Sequence, residues 1–515
     1  MRFKKLLLLC GSLLSINTYA ADAPKKNILF IAFDDLKPAL GCYGDTSVKS
    51  PNIDQLASRG ITFTNAHCQQ AVCGPSRASI MSGLYPDTTR VWDLKTKWRD
   101  MNPDIISIPQ FFKDQGYETV ATGKIFDYRS VDNMNDMDAQ SWTIPFNAKA
   151  FHGPLSSSEG YANPETKLAQ KRFKEKLAKT STPPEKASII ANEWGINKKP
   201  YFEVEESTHD ESYADGKIKN HALELLDQLA NKEKPFFLGV GFKKPHLPFN
   251  APKKYWDLYD PEKLELAPFQ QKAKNDANWG YHGFGELRMY TPIPVSGPLD
   301  KATQRNMIHG YYACVSYVDT LFGQILNKLE ALEIADDTIV ILWGDHGWHL
   351  GDHGLWCKHT NLEQATRSPL IIFDPSMAKK GLKSASPVEF TDVFPTLVDL
   401  AGYEVPTHLQ GKSLKPIYED PEYLVREAAL SQFPAGKKHM AYSIRSKRYR
   451  YIEWEKKNFY EDQISKAIVH QQLFDYETDP LETVNLAKDP KYKEVLASMV
   501  QLMNEKRTKG YIISK

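Results

Sequence analysis

Four continuous apolar runs restrict what this chain can fold into: Asn27–Phe33 (NILFIAF), Pro235–Phe242 (PFFLGVGF), Thr338–Trp343 (TIVILW) and Pro369–Phe373 (PLIIF). Each has the length of a strand, and none is long enough to cross a bilayer. Apolar and polar residues do not alternate within them, so each reads as a strand buried on both faces. Tyr117–Thr122 is a fifth strand candidate. Between them lie segments with helical spacing. Pro51–Arg59 follows Ser50 as N-cap and stops at Gly60, Ile108–Gln115 stops at Gly116, and Tyr311–Leu332 carries apolar residues at helical intervals. Strands separated by helices predict parallel crossovers and an α/β sheet covered on both faces.

Two regions break that rhythm. The stretch 127–234 is polar and rich in Lys, Ser, Asn and Pro. Its length predicts a large insertion with local helices rather than a structureless loop. Beyond about Leu414, alternation in Tyr442–Trp454 predicts antiparallel strands, and a helix from about Tyr492 to Lys506 closes a smaller α+β subdomain. The expected layout is a leader at 1–20, a main domain at 21–414 and a C-terminal subdomain at 415–515.

Residues 1–20 have the form of a secretory signal peptide: Arg2, Lys4 and Lys5 precede the apolar Leu6–Leu14, and Thr18 and Ala20 stand before Ala21. A lipid anchor at Cys10 is disfavoured by Leu9, where such sites need a small residue. The 65 Lys and Arg, less the leader's three, leave 62 against 64 Asp and Glu. No basic excess remains to hold nucleic acid or an anionic membrane. The expected protein is exported (periplasmic or secreted), soluble and without a transmembrane segment. Five cysteines follow the leader: Cys42, Cys68, Cys73, Cys314 and Cys357. No CxxC pair points to zinc, and an odd number leaves at least one thiol with another fate.

Four of the strands end in polar residues: Asp34-Asp35, Gly123-Lys124, Lys243-Lys244-Pro245-His246 and Gly344-Asp345-His346. In open α/β sheets the carboxyl ends of strands face the ligand crevice, so these groups can converge. An isolated Asp most simply caps a turn, but Asp34, Asp35 and Asp345 together would repel without a cation between them, and oxygen ligands favour Ca²⁺ or Mg²⁺. The four histidines His346, His349, His353 and His359 have no zinc-site pattern. Ala71-Val72-Cys73-Gly74-Pro75-Ser76-Arg77 sets a thiol beside a Pro-fixed turn, followed by an arginine and a helix. The helix N-terminus and the Arg77 fork suit sulfate or phosphate, while a Cys68–Cys73 bridge is the plainer alternative.

Cys73-Gly74-Pro75-Ser76-Arg77 resembles the C-x-P-S-R motif of type I sulfatases, in which the cysteine becomes formylglycine. The resemblance extends through Phe33-Asp34-Asp35-Leu36, Pro86-Asp87-Thr88-Thr89-Arg90, Lys244-Pro245-His246, Gly344-Asp345-His346-Gly347-Trp348, Lys358 and the tail from Leu473-Phe474-Asp475 to Asn485-Leu486. Within the family it is nearest the iduronate-2-sulfatase branch. It implies an alkaline-phosphatase-like fold with a large, mostly parallel mixed sheet. It also implies one Ca²⁺ held by Asp34, Asp35, Asp345, His346 and modified residue 73. Arg77 would hold the formylglycine hydrate, and Lys124, His246 and Lys358 would grip the sulfate, with His246 as the acid for the leaving alcohol. A formylglycine-generating enzyme becomes a required partner and a sulfated polysaccharide or oligosaccharide the substrate, either a uronic-acid 2-sulfate or an algal polymer such as ulvan or carrageenan.

One position departs from the family. Its G-K-x-x-H motif reads Gly123-Lys124-Ile125-Phe126-Asp127 here, with Asp127 where the resemblance implies a histidine that takes the proton when the aldehyde re-forms. Asp127 could serve as that base, the role could pass to a residue such as His67, or it could be lost. Ser82 is a milder departure. The competing functions are a phosphonate or phosphodiester hydrolase with the same nucleophile, and a glycan-binding protein without catalysis.

Overall fold

The computed structural model describes residues 25–132, 136–146, 161–189, 199–206, 208–283, 285–436, 438–457 and 464–510. The leader therefore lies outside the described residues. Among the described residues no helix is long and apolar enough to cross a membrane.

The run beginning at Asn27 forms the strand Asn27–Asp34, inside the parallel part of a seven-stranded sheet. Thr338–Gly344 and Phe236–Pro245 flank it, both parallel, and Glu118–Gly123 extends the sheet beyond Phe236–Pro245, again parallel. On the other side follow Leu370–Phe373, Ile61–Phe63 and Leu382–Ser384. Side chains alternate across a strand, so Asn27–Asp34 feeds two cores. Leu29, Ile31 and Phe33 pack with Pro51–Arg59, Ala214–Ala230 and Lys301–Ala331. Ile28, Phe30 and Ala32 pack with Cys73–Ser82, Ile108–Asp114 and Val393–Leu400 on the opposite face.

Three features differ from the sequence expectations. Leu370–Phe373 runs antiparallel to Thr338–Gly344. A parallel return would need a crossover along the sheet, and the intervening segment 345–369 has only the 3-10 turn Asp352–Gly354 and the one-turn helix Glu363–Thr366 to make it. The helix predicted at Tyr311–Leu332 spans Lys301–Ala331, starting where Asp300 accepts from the Thr303 amide. Ala214–Ala230, inside the stretch 127–234, is a core crossover helix that buries Ile218, Ala222, Leu225, Leu226 and Leu229 between neighbouring parallel strands. The helix Pro164–Lys179, from the same stretch, buries none of its residues.

The C-terminal part is an antiparallel meander, Ala428–Ala435, His439–Ser446, Tyr449–Lys457 and Ile464–Asp475, followed by the helix Lys493–Gly510. Met499 and Met503 of that helix pack on Leu430, Tyr442, Tyr451 and Leu473 of the sheet. A large, mostly parallel mixed sheet between helical layers, joined to a small antiparallel subdomain, is the alkaline-phosphatase-like arrangement.

Candidate active site

The carboxyl ends of adjacent strands bring three carboxylates together. Asp34 ends its strand, and Asp35 follows it at φ 66°, a left-handed conformation that Asp tolerates better than most residues. Asp345 follows Thr338–Gly344, and its Oδ1 accepts from the Asp35 amide at 2.9 Å. All three are fully buried. Ligand atoms of Asp34, Cys73 and Asp345 lie within 4.8 Å of one another, as do those of Asp35, Cys73 and His346. His346 Nδ1 faces the Gly347 carbonyl at 2.9 Å, an oxygen that can only accept, so this nitrogen donates. Its Nε2 faces Asp35 Oδ1 at 3.3 Å and Asp345 Oδ1 at 3.6 Å. In the neutral ring, Nε2 would turn a lone pair toward two carboxylates, an arrangement that a cation among them would relieve, and the oxygen-rich donor set fits Ca²⁺ or Mg²⁺.

Cys73 is the first residue of Cys73–Ser82 and points into this cluster. Its Sγ lies 3.3 Å from Asp34 Oδ1 and 3.5 Å from His346 Nε2. It is a free thiol, as is Cys68, so the alternative disulfide is not formed. Burial first, and then the Asp34 charge, hold the thiol well above its usual range, so residue 73 as cysteine is protonated and a weak nucleophile. Arg77 is also buried, but its fork does not open onto a ligand space. Nε donates to Asp345 Oδ2 at 3.0 Å, Nη2 reaches Asp34 Oδ1 at 3.5 Å, and Nη1 donates to the carbonyls of Lys124 and Ile125. It is a strut beneath the carboxylates.

Cationic groups stand on either side of residue 73. Gly123 has φ 75°, and a Cβ there would meet the Gly241 carbonyl at 2.1 Å; this tight turn delivers Lys124, whose Nζ donates to Asp34 Oδ2 at 2.6 Å. Opposite, Lys358 Nζ donates to both oxygens of Asp35 at 3.0 Å and to Glu286 Oε1 at 2.9 Å. His246 Nδ1 donates to the Leu247 carbonyl at 2.6 Å, while Nε2 faces Glu286 Oε1 at 3.2 Å and Asp35 Oδ2 at 3.7 Å. Burial pulls the His246 pKa down, but Asp35, then Asp34 and Glu286, outweigh burial and Lys358 and leave it raised.

Other sequence candidates are engaged elsewhere. Both ring nitrogens of His67 are occupied, by Thr366 Oγ1 at 3.1 Å and Asn65 Oδ1 at 2.8 Å, which removes it as an alternative base. Lys244 Nζ holds the carbonyls of His246 and Pro248, shaping the turn that carries His246. His349 bonds Thr360, and His353 lies 3.8 Å from Glu482. Asp127 is buried and paired with Arg129, with its Oδ2 at 3.9 Å from Lys124 Nζ. Glu286 and Arg129 were missed in the sequence. Glu286 sits in a polar segment with no motif around it, and Arg129 follows two residues after the departure at Asp127.

A carboxylate cluster holding one buried Cys–x–Pro–Ser–Arg helix start, on this sheet, defines the class. The Sulfatase family profile matches residues 26–403, and that of the N-sulphoglucosamine sulphohydrolase C-terminal region matches 351–509. The chain belongs to the sulfatase family, whose members hydrolyse sulfate esters. Among its relatives, iduronate 2-sulfatase of Homo sapiens is 34% identical over 530 residues, 90% of this chain and 91% of that protein. Two solved structures share the fold. One was determined in complex with its substrate D-glucosamine-2-N,6-O-disulfate (TM-score 0.70, 22% identity, 95% of this chain and 99% of that one). The other is the phosphonate monoester hydrolase of Agrobacterium radiobacter (TM-score 0.72, 22% identity, 94% and 96% of the two chains).

Proposed function

We propose that the protein is an exported, Ca²⁺-dependent sulfatase that removes sulfate from a sulfated saccharide, with residue 73 acting as formylglycine. The position of Cys73 Sγ, 3.3 Å from Asp34 and 3.5 Å from His346 in the middle of the carboxylate cluster, carries the reading. Asp34, Asp35, Asp345 and His346, with an oxygen on residue 73, would hold the ion, which supplies positive charge next to the ester oxygens. As a hydrated aldehyde, residue 73 would supply two hydroxyls on one carbon, one as the nucleophile toward sulfur and one whose proton, passing to water, would let the aldehyde re-form and sulfate leave.

The chain's own residues prepare for that chemistry. Arg77 fixes the directions of Asp34 and Asp345. Lys124 and Lys358 stand on either side of residue 73 and neutralise the incoming ester, whose negative charge otherwise repels a nucleophile. His246 Nε2 is the proton donor to the leaving alcohol oxygen. Asp127 is assigned to holding Arg129 rather than to proton transfer. The likeness to human iduronate 2-sulfatase supports a 2-sulfated uronic acid in a glycan as the substrate.

The test is mass spectrometry of the peptide around residue 73 in protein made alongside a formylglycine-generating enzyme, paired with sulfate release from defined sulfated oligosaccharides. An aldehyde at 73, activity lost on chelation and restored by Ca²⁺, and a Cys73→Ser variant that gains one SO₃ and stalls are the expected results. Unmodified cysteine in a turning-over enzyme, or a strong preference for aryl phosphodiesters over sulfates, would overturn the reading.

A further inference from the structure

We propose that Arg129, aimed by Asp127, binds a second anionic group of the substrate next to the sulfate that is removed. On the sulfatase reading, the enzyme then selects saccharide sulfates that also carry a uronate carboxylate or a neighbouring sulfate.

The Asp127 carboxylate is held as a fork acceptor. Oδ1 accepts from Arg129 Nε at 2.8 Å and from the Arg129 amide at 3.0 Å, and Oδ2 accepts from Nη2 at 2.6 Å. This fixes the guanidinium plane and leaves Asp127 poorly placed to collect a proton. The arginine it holds stands beside the reacting centre. Arg129 Nη2 and Lys124 Nζ flank the same oxygen of Asp127, Lys124 contacts Asp34 at 2.6 Å, and Asp34 contacts Cys73 Sγ at 3.3 Å.

The loop is also packed on the nucleophile's own turn. The Ser130 amide donates to the Asp127 carbonyl at 2.9 Å, the Ser130 carbonyl accepts from the Trp98 amide at 2.9 Å, and a Cβ on Gly74 would meet Ser130 Oγ at 2.5 Å. Arg129 is thus carried on a rigid support. Its side chain is 36% exposed, and among the described residues Nη1 has no hydrogen-bond partner. An oriented guanidinium with one free edge, next to the lysine that meets the ester, suits an oxyanion on the same sugar or the next one. A substrate with only a neutral hydroxyl there would leave that edge unmatched.

The experiment compares the full-length, formylglycine-containing, Ca²⁺-loaded enzyme with Arg129→Gln and Arg129→Lys. Three substrates are used: a 2-O-sulfated hexuronate disaccharide, a disulfated glucosamine and a monosulfated neutral galactose. Arg129→Gln should lower the kcat/KM ratio of an anionic substrate to the neutral one by about tenfold, mainly through KM, and Arg129→Lys should recover only part of it. A fall confined to the hexuronate identifies a carboxylate partner, and one confined to the disulfated sugar identifies a sulfate. Asp127→Asn should shift the ratio in the same direction.

Unchanged ratios, or an equal fall on all three substrates, would overturn the assignment. Collapse of turnover in Asp127→Asn with the ratio intact would make Asp127 the base and also overturn it. A wild-type enzyme that desulfates none of the three would instead sink the sulfatase reading itself.

Discussion

The Lys358 ammonium lies between two carboxylates, Asp35 at 3.0 Å and Glu286 at 2.9 Å, and Glu286 also reaches His246 at 3.2 Å. Glu286 therefore ties together the residue proposed to neutralise the ester and the residue proposed to protonate the leaving group. Glu286→Gln keeps the size and loses the charge, leaving both partners less well aimed. Its kcat/KM on a sugar sulfate should fall ten- to a hundredfold, the range of a lost hydrogen bond to a charged group, and should fall much less on nitrophenyl sulfate, whose leaving group needs little protonation. Equal losses on both would leave Glu286 without this role. At this scale the sequence was legible where chemistry is contiguous: Cys73 to Arg77, Asp34-Asp35 and Asp345-His346 could be picked out because short motifs follow strands. Glu286 could not, since only tertiary packing carries its loop to Lys358. The Arg77 guanidinium was identified as an anion fork, but the chain itself supplies the anions.

Among the elements, the Ala214–Ala230 helix shows how a polar-looking stretch can hide a core component. Its buried face has helical spacing, but Lys217, Lys219, Asn220 and Glu224 dilute the run, so average composition conceals it. His221 on this helix meets Thr122 Oγ1 of the edge strand at 3.0 Å, and desolvation lowers its pKa to about 4. A histidine whose folded pKa is depressed binds fewer protons in the folded state. Its contribution is complete above the unfolded value near 6.5 and is lost as pH falls from there toward about 4. Thermal melts at pH 7 and pH 5 should show a smaller difference for His221→Gln than for the wild type, and an equal difference would refute the assignment. The antiparallel Leu370–Phe373 strand was hidden for another reason. Its apolar run is identical in kind to those of the mutually parallel strands, and only the lack of a long crossover helix in 345–369 reverses it.

Across the whole molecule, the two sheets are locked by buried charge. Arg450 of the C-terminal sheet is fully buried and reaches Glu363 at 2.5 Å, Glu482 at 3.1 Å and the Asn361 carbonyl at 2.7 Å. Arg426 bridges Glu389 and Asp392, and Lys506 of the last helix adds a contact to Glu389 at 2.8 Å. Without Arg450, Glu363 keeps Arg445 at 3.1 Å and Glu482 keeps the Tyr476 hydroxyl at 2.5 Å, so Arg450→Ala should cost about 2–3 kcal/mol, the range of lost hydrogen bonds to charged groups, read as a drop in the urea midpoint. A change under about 1 kcal/mol would show that water reaches those carboxylates. The antiparallel character of this subdomain was evident from the alternation in its sequence, whereas its docking charges are scattered from Glu363 to Lys506 and form no pattern along the chain.

Lys358 and Glu363 lie on the same irregular strap, which starts at Asp345 and Arg450 pins from behind. Warming that loosens the joint should slacken the strap before either sheet melts, so catalysis would be the first property to vanish and the first to return on cooling.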